Sequence, residues 1–259
     1  TIYNIFLINI MNVLIVGATF GIGYELAKKY AHSCNHLILI GRTEKKLEEI
    51  KTEFSNLKAK IITDNIDVTN SSHCTERLNN IIKDYPVIDK AIYCSGYYEP
   101  HNTFDINIDL FKKTMDVNFM GMINVFSILL PHLKKQNHGH LGIVASLAGF
   151  GGLPNSSSYG PSKAAMMNYA ESIKIDCDKY NIKVSIINPG FVQSRLTEKN
   201  SFDMPFLMSS EKAASIIYNG LKKEQYEITF PLPMKILFKT LRVLPRFIYF
   251  WIVKIITKA

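Results

Sequence analysis

The sequence predicts an α/β domain built on a single doubly wound parallel sheet of about seven strands, with helices on both faces. Short apolar runs bounded by Gly, Asn, Asp or Pro alternate with amphipathic stretches along most of the 259 residues. The first apolar run leads straight into a glycine-rich turn. Alternating strands and helices of this kind are typical of parallel sheets covered by helices.

Six apolar runs are predicted as buried strands because they are short and rich in branched residues. They comprise residues 13–16, 37–40, 59–63, 90–93, 141–145 and 184–187. Four stretches between them combine helical spacing with Lys- and Glu-rich outer faces, which indicates surface helices. These helices comprise residues 22–32, 44–54, 72–84 and 111–134.

The composition excludes a disordered chain and a metal or disulfide scaffold. Apolar residues make up 47% and charged residues 20% of the chain, which suits a packed core. The four cysteines lie far apart and match no zinc or disulfide pattern. They are Cys34, Cys74, Cys94 and Cys177. We therefore expect no metal and a reduced, cytoplasmic protein.

The glycine-rich turn after the first strand predicts a dinucleotide site. Gly17, Gly21 and Gly23 lie between that strand and the first helix. Glycines allow backbone N–H groups to approach a pyrophosphate, and the N-terminus of the helix adds partial positive charge. The position of the turn between a strand and a helix supports this interpretation over a simple tight turn.

The end of the second strand favours NADP over NAD. An acidic residue there would bind the ribose hydroxyl of NAD, but this chain has Arg42 after Gly41. An arginine can pair with a 2′-phosphate, although it can also be a solvated residue that opens a helix. Asp67 and Val68 follow the third strand, where Asp67 is either a ligand of the adenine amino group or an ordinary loop residue.

Tyr159 and Lys163 form a candidate catalytic pair. Four residues apart on a helix, their side chains share one face. Free tyrosine has a pKa of about 10, and a nearby ammonium together with an oxidised nicotinamide is expected to lower it. Ser146 follows the fifth strand, where open α/β sheets bind ligands. Asn118 lies in the long helix after the fourth strand, where a buried amide can bend the helix and hold a water that relays protons.

Together these residues resemble the short-chain dehydrogenase/reductase family in its classical form, over about residues 12–230. The resemblance implies a Rossmann-type fold and a catalytic tetrad of Asn118, Ser146, Tyr159 and Lys163. The residues expected to contact the coenzyme are Gly17, Thr19, Phe20, Gly21, Ile22, Arg42, Asp67, Val68, Ser95, Gly96, Tyr159, Lys163, Pro189, Gly190 and Val192.

The sequence departs from the family pattern in three places. Tyr93-Cys94-Ser95-Gly96 stands where the family has Asn-Asn-Ala-Gly, so the amides that brace the centre of the sheet are missing. Ser194 replaces the usual threonine after the Pro-Gly motif. Phe20 occupies a position that is often basic in NADP-preferring members, so the expectation of NADP rests mainly on Arg42.

The resemblance implies an NADP-dependent oxidoreductase that moves a hydride between nicotinamide and a carbonyl or alcohol. We expect it to reduce a lipophilic ketone or aldehyde. The alternatives are a regulatory protein that binds the dinucleotide without turnover and an epimerase or dehydratase on the same scaffold. The apolar residues expected to enclose the substrate are Phe150, Leu153, Phe191, Phe202, Met204, Phe206, Leu207 and Met208.

The expected division is an N-terminal extension at residues 1–10, the catalytic domain at 11–230 and a C-terminal tail at 231–259. The tail holds six basic residues and no acidic one, whereas the whole chain has a net charge of +8. This distribution argues against nucleic-acid binding and favours an anionic membrane surface contacted through residues 234–258. Pro245 should divide the tail into two amphipathic helices. Alternatively, the tail forms an interface between copies of the chain or a flap over the substrate. Independently of the tail, we expect a homo-oligomer.

Overall fold

One parallel sheet of seven strands forms the centre of the molecule. The computed structural model describes residues 11–200 and 202–257, so the predicted extension at residues 1–10 lies outside it. The strands are β1 (Asn12–Val16), β2 (His36–Gly41), β3 (Lys60–Asn65), β4 (Lys90–Tyr93), β5 (Gly139–Val144), β6 (Ile182–Pro189) and β7 (Glu227–Phe230). Their order is β3-β2-β1-β4-β5-β6-β7, which confirms the predicted fold class.

The strand order reverses between β1 and β4. The chain builds β1 to β3 towards one edge, then crosses back to place β4 on the other side of β1. Open α/β sheets bind ligands at such a switch point, outside the carboxyl ends of the strands. The six predicted strands are all present. The six predicted strands do not include β7, which lies at the edge of the sheet and alternates buried and half-buried residues.

Helices cover both faces of the sheet and bury alternate residues of each strand. On β1, for example, Val13 and Ile15 join one apolar cluster, whereas Leu14 and Val16 join the other. One face is covered by α1 (Gly21–Ala31), α2 (Glu44–Glu53) and α7 (Ser210–Lys222). The opposite face is covered by α3 (Ser71–Asp84), α5 (Gly121–Gln136) and α6 (Tyr159–Asp178).

The predicted long helix after β4 is continuous but changes its winding. It comprises α4 (Ile108–Met115), a π-helical turn (Asp116–Met120) and α5. By length and composition this stretch is the one helix in the described part of the chain that is apolar enough to cross a membrane. Its apolar residues Met122, Phe126 and Leu129 are fully buried against the sheet, as in the core helix of a folded domain.

The tail folds into two helices that pack back onto the domain. They are α8 (Leu232–Val243) and α9 (Arg246–Thr257), and they are separated at Pro245 as predicted. Leu241, Tyr249 and Val253 form a separate buried cluster, against which Leu153 packs. The tail is therefore held against the loop that follows β5, while the division of the chain at residue 230 stays a prediction.

Candidate active site

A cleft of about 510 Å³ opens at the carboxyl ends of the central strands. The ends of β1, β2, β4, β5 and β6 all contribute to its walls. It lies at the switch point of the sheet, as expected for the ligand site of a doubly wound fold. All of the predicted site residues line it except Asn118 and Asp67.

The glycine-rich turn forms one end of the cleft. The backbone N–H groups of Gly17 and Ala18 donate to the carbonyl oxygen of Ile40, which ties the turn to the end of β2. Gly17 has a φ of +84°, and a Cβ on it would lie 2.6 Å from the backbone nitrogen of Ser95. Only glycine fits that conformation and that close approach, so the predicted role of the turn has a steric basis.

The first turn of α1 offers unpartnered donors to the cleft. Phe20 precedes α1 but its side chain cannot cap the helix, and the first turn contains no acidic residue. The first N–H groups of a helix have no intrahelical partner, and they carry partial positive charge. Thr19, Gly21 and Ile22 line the cleft beside this helix end. These donors fit the pyrophosphate of a dinucleotide.

Arg195 is a cleft residue that the sequence analysis does not identify. Its guanidinium carbon lies 3.4 Å from the centre of the Phe20 ring, and both side chains line the cleft. Stacking on an aromatic face holds the planar guanidinium in place at the N-terminus of α1. A positive charge therefore lies beside the uncapped helix end, although no basic residue precedes Gly21.

Arg42 lies at the position that the sequence predicts will distinguish NADP from NAD. It is exposed and lines the cleft just after β2. Its positive charge lowers the pKa of the Asp67 carboxyl. Burial alone would raise the pKa of Asp67, but hydrogen bonds from Thr69 and the charge of Arg42 hold it below its usual range. Oδ1 of Asp67 accepts from the backbone and the hydroxyl of Thr69. Val68 lines the cleft, whereas Asp67 itself does not.

The predicted pair of Tyr159 and Lys163 meets in the cleft. Tyr159 is the first residue of α6, and one turn later Nζ of Lys163 lies 5.6 Å from the centre of the tyrosine ring. The ammonium is buried and donates to the carbonyl oxygen of Val144 at 2.9 Å. This hydrogen bond fixes the lysine at the carboxyl end of β5.

The pKa of Tyr159 differs from the sequence-based expectation. Burial raises it to about 12, and the neighbouring Ser146 hydroxyl opposes that rise. Burial also lowers the pKa of the neighbouring Lys163 ammonium, to about 8. The protein residues by themselves therefore keep Tyr159 protonated at neutral pH. A phenol in this state is suited to donate a proton rather than to accept one.

Ser146 and Asn118 take up different positions relative to the pair. Ser146 follows β5 directly, and its Oγ accepts from the backbone N–H of Ala148. Asn118 is fully buried in the π-helical turn. Its amide bonds the backbone N–H and carbonyl of Tyr97 and the hydroxyl of Ser162. Both amide hydrogens are thus engaged, so Asn118 joins the loop after β4 to helix α6.

Tyr93 takes over the bracing that the missing amides would provide. Its ring is fully buried against Phe126, and its hydroxyl donates to the carbonyl oxygen of Val117 at 2.6 Å. The bond joins the end of β4 to the residue before Asn118. A tyrosine therefore connects the sheet to the π-helical turn, where the family pattern places asparagine.

The Pro-Gly motif closes the nicotinamide end of the predicted site. Pro189, Gly190 and Val192 line the cleft opposite the glycine-rich turn. A Cβ on Gly190 would lie 2.8 Å from the sulfur of Met234 on α8, so the tail packs directly behind this motif. On the β4 side, Cys94, Ser95 and Gly96 complete the wall.

The predicted apolar substrate wall is not assembled in the cleft. None of its eight residues lines the cleft, as far as the described residues show. Met208 packs in the core, and Leu153 packs against the tail. Phe202 and Phe206 are 48% and 57% exposed. The segment after the Pro-Gly motif instead lines the cleft with Arg195, Leu196, Thr197 and Lys199.

Two residues on this segment connect it to the opposite wall. Asn200 accepts a hydrogen bond from the Tyr98 hydroxyl at 2.9 Å, and Lys199 donates to the carbonyl oxygen of Tyr98. The Tyr98 ring packs edge-on against Tyr159, with 5.0 Å between the ring centres. The segment thus reaches over the mouth of the cleft beside the tyrosine. Its irregular backbone gives no periodic signal from which this contact could be predicted.

Known proteins resemble this chain in sequence and in fold. The family model of the short chain dehydrogenases matches residues 11–204. An uncharacterized oxidoreductase of Myxococcus xanthus is 29% identical, with 90% of this chain and 92% of that protein aligned. The 11-beta-hydroxysteroid dehydrogenase-like 3 of Arabidopsis thaliana is 30% identical, with 91% and 78% aligned.

Solved structures share the fold at low sequence identity. The structure of ElxO with NADP bound has a TM-score of 0.77 and 22% identity, and it covers 85% of this chain and 97% of its own. A short chain dehydrogenase/reductase from Burkholderia phymatum in complex with NAD has a TM-score of 0.81 and 17% identity, covering 89% and 92%. Because the family model matches residues 11–204, this chain belongs to the short-chain dehydrogenase/reductase family and is an NAD(P)-dependent oxidoreductase.

Proposed function

We propose that the protein reduces a lipophilic ketone or aldehyde with NADPH. The observation that carries this proposal is the convergence of Tyr159, Ser146 and Lys163 at the cleft. A proton donor, a second hydroxyl and an ammonium beside a dinucleotide cleft are the groups that carbonyl reduction requires.

The proton is supplied by Tyr159. When bound, a reduced nicotinamide coenzyme supplies the hydride to the carbonyl carbon. Tyr159 is protonated at neutral pH because of its raised pKa, and it gives its proton to the carbonyl oxygen. Ser146 orients that oxygen, and the charge of Lys163 stabilises the phenolate that remains. Asn118 acts as a positioning residue, since it holds the loop after β4 against α6.

The protonation state of Tyr159 suits carbonyl reduction. Alcohol oxidation would need Tyr159 as a base, and a phenol with a pKa of about 12 is rarely ionised near pH 7. Carbonyl reduction uses the form that the environment already stabilises.

The preference for NADP rests on two arginines and on a missing carboxylate. β2 ends without an acidic residue, and Arg42 follows it at the cleft. We expect Arg42 to pair with a 2′-phosphate, and we expect Arg195, which stacks on Phe20, to pair with the pyrophosphate at the start of α1. The name of the Arabidopsis relative refers to a hydroxysteroid, which supports a lipophilic carbonyl compound as substrate.

A coenzyme and substrate panel tests the proposal. The purified chain is mixed with NADPH or NADH and with ketones and aldehydes of increasing chain length, and the nicotinamide absorbance is followed. We expect oxidation of NADPH that becomes faster with apolar substrates. Because a charge-assisted hydrogen bond contributes about 1.5–3 kcal/mol, Arg42→Ala should weaken NADPH binding about 10- to 100-fold and leave NADH binding unchanged.

The control removes the same charge elsewhere. Lys28 is exposed on α1 outside the cleft, so Lys28→Gln should leave both coenzymes unaffected. Tight NADPH binding without turnover of any carbonyl compound would favour the dinucleotide-binding regulatory protein instead. A preference for NADH in the unmodified chain would contradict the assignment of Arg42.

A further inference from the structure

The outward side of the C-terminal helix pair exposes large apolar side chains. We name it the outer tail face; it consists of Leu232, Ile236, Val243, Phe247, Phe250, Trp251 and Lys254. Phe247 and Trp251 are 76% and 65% exposed, and Val243 is 81% exposed. A contiguous apolar surface of this kind marks an interaction site.

Helical spacing separates this face from the side that packs on the domain. Tyr249 and Val253 are one turn apart and buried. Phe247, Trp251 and Lys254 project from the opposite side of the same helix, because each residue advances by about 100°. The inner side of α9 is therefore occupied by the protein, and the outer side is free to bind a partner.

The charge of the tail selects the chemistry of the partner. Residues 231–257 include five basic side chains and no acidic one. Lys239 pairs with Glu227 at 2.7 Å, and Arg242 lies 3.9 Å from Glu171. The other three, Lys235, Arg246 and Lys254, make no ion pair with any residue that the structure describes. Arg246 and Lys254 are exposed and flank the apolar face with positive charge.

A second copy of the chain is a poor match for this surface. A two-fold symmetric contact brings the same patch of both subunits together, so it would concentrate the basic residues of both tails at one interface with no acidic group on the tail to balance them. An anionic lipid surface complements the charge and accepts the apolar side chains below its headgroups. We propose that the outer tail face docks the protein onto an anionic lipid bilayer.

The docking is in the plane of the bilayer. α8 and α9 contain 12 residues each, which gives about 18 Å of helix against a hydrocarbon core of about 30 Å. The Tyr249 hydroxyl donates to the carbonyl oxygen of Gly152 at 2.5 Å, and Met234 packs behind Gly190. These contacts hold the helices to the domain, so docking needs no detachment of the tail.

The single tryptophan of the chain makes the docking directly measurable. Trp251 is the chain's one tryptophan and lies on the outer tail face. The full chain is titrated with vesicles of phosphatidylcholine, with or without phosphatidylserine. We expect a blue shift of the Trp251 emission and co-sedimentation with the phosphatidylserine vesicles, both weakened by salt.

Matched variants assign the binding to the face. Lys254→Gln should weaken partitioning about fivefold, the effect of removing about 1 kcal/mol of attraction for one basic residue. Phe247→Ser should weaken it through lost apolar burial. Lys28→Gln removes one charge from α1, on the opposite face of the sheet, and should bind like the unmodified chain. Circular dichroism checks that each variant is folded.

The opposing outcomes are distinct. An unchanged Trp251 spectrum and no sedimentation with either vesicle at low salt would overturn the proposal. Equal binding of the Lys254→Gln, Lys28→Gln and unmodified chains would overturn the role of the face. A dimer in light scattering that Phe247→Ser converts to a monomer, without vesicle binding, would assign the face to a second copy of the chain.

Discussion

The polar groups of the cleft and those of the C-terminal helix pair lie in opposite surroundings. In the cleft, Lys163 is buried and donates to Val144, and behind the cleft wall Asn118 makes three hydrogen bonds. On the tail, Lys254 and Arg246 remain exposed beside apolar side chains. Buried, partnered groups have a fixed geometry and shifted pKa values, as chemistry requires. Exposed groups stay accessible to a partner, as attachment requires. Substitutions in the two regions should therefore affect different measurements.

A large separation between the regions is expected for Ser146→Ala. Loss of a hydroxyl that orients the reacting oxygen should lower kcat about 10²- to 10³-fold. The affinity for the coenzyme should stay unchanged, because the serine binds the substrate oxygen. Steady-state kinetics and a coenzyme titration measure both. Phe250→Ser on the tail is the matched control, and a comparable loss of kcat in that variant would mean that the two regions are not independent.

The next effect concerns Arg195, which belongs to the cleft but is exposed like a tail residue. If its guanidinium binds a coenzyme phosphate, Arg195→Gln should raise the Kd for NADPH about 10- to 100-fold, the effect of one charge-assisted hydrogen bond. Phe20→Leu should give part of that effect, because the ring positions the guanidinium. Calorimetry measures the Kd. An unchanged Kd in Arg195→Gln would make the residue a surface side chain.

A smaller effect is expected from pH. Lys163 is charged below its pKa of about 8 and loses its proton as the pH rises through that value. The phenolate left by proton transfer then loses its stabilising charge, so the rate of carbonyl reduction should be level below pH 8 and fall above it. Lys163→Arg should move the fall to higher pH, since an arginine stays protonated. A rate that is independent of pH up to 10 would remove Lys163 from this role.

The smallest effect is expected on stability, for two tyrosine hydroxyls that each donate to a carbonyl oxygen. Tyr93→Phe removes a buried hydrogen bond to the oxygen of Val117 in the core, which should lower the free energy of unfolding by about 1–3 kcal/mol. Tyr249→Phe frees the oxygen of Gly152, an exposed residue where water can replace the hydroxyl, so about 0.5–1.5 kcal/mol is expected. Urea unfolding measures both, and a larger loss for Tyr249→Phe would contradict the difference in burial.

The sequence predicts the sheet and the catalytic pair because both depend on local patterns. The six apolar runs and the Tyr159–Lys163 spacing need no tertiary information. β7 escapes prediction because it lies at the edge and alternates in burial. The stacking of Arg195 on Phe20 and the bond from Tyr98 to Asn200 join distant segments, and no periodicity encodes them.

The raised pKa of Tyr159 likewise cannot be predicted from local sequence patterns. Spacing places an ammonium one turn from the phenol, which alone predicts a lowered pKa. Burial of both groups decides the outcome instead, and burial depends on the packed fold. The apolar substrate wall fails for a similar reason, because Leu153 and Met208 are used in packing rather than in the cleft.

The most direct test of the catalytic assignment is Tyr159→Phe, measured for NADPH binding and for carbonyl reduction in parallel. The substitution removes one hydroxyl and keeps the ring against Tyr98. If Tyr159 is the proton donor, kcat should fall about 10²- to 10⁴-fold while the Kd for NADPH stays within a factor of about two. A Tyr159→Phe protein that binds NADPH and reduces the substrate at the unmodified rate would contradict the mechanism.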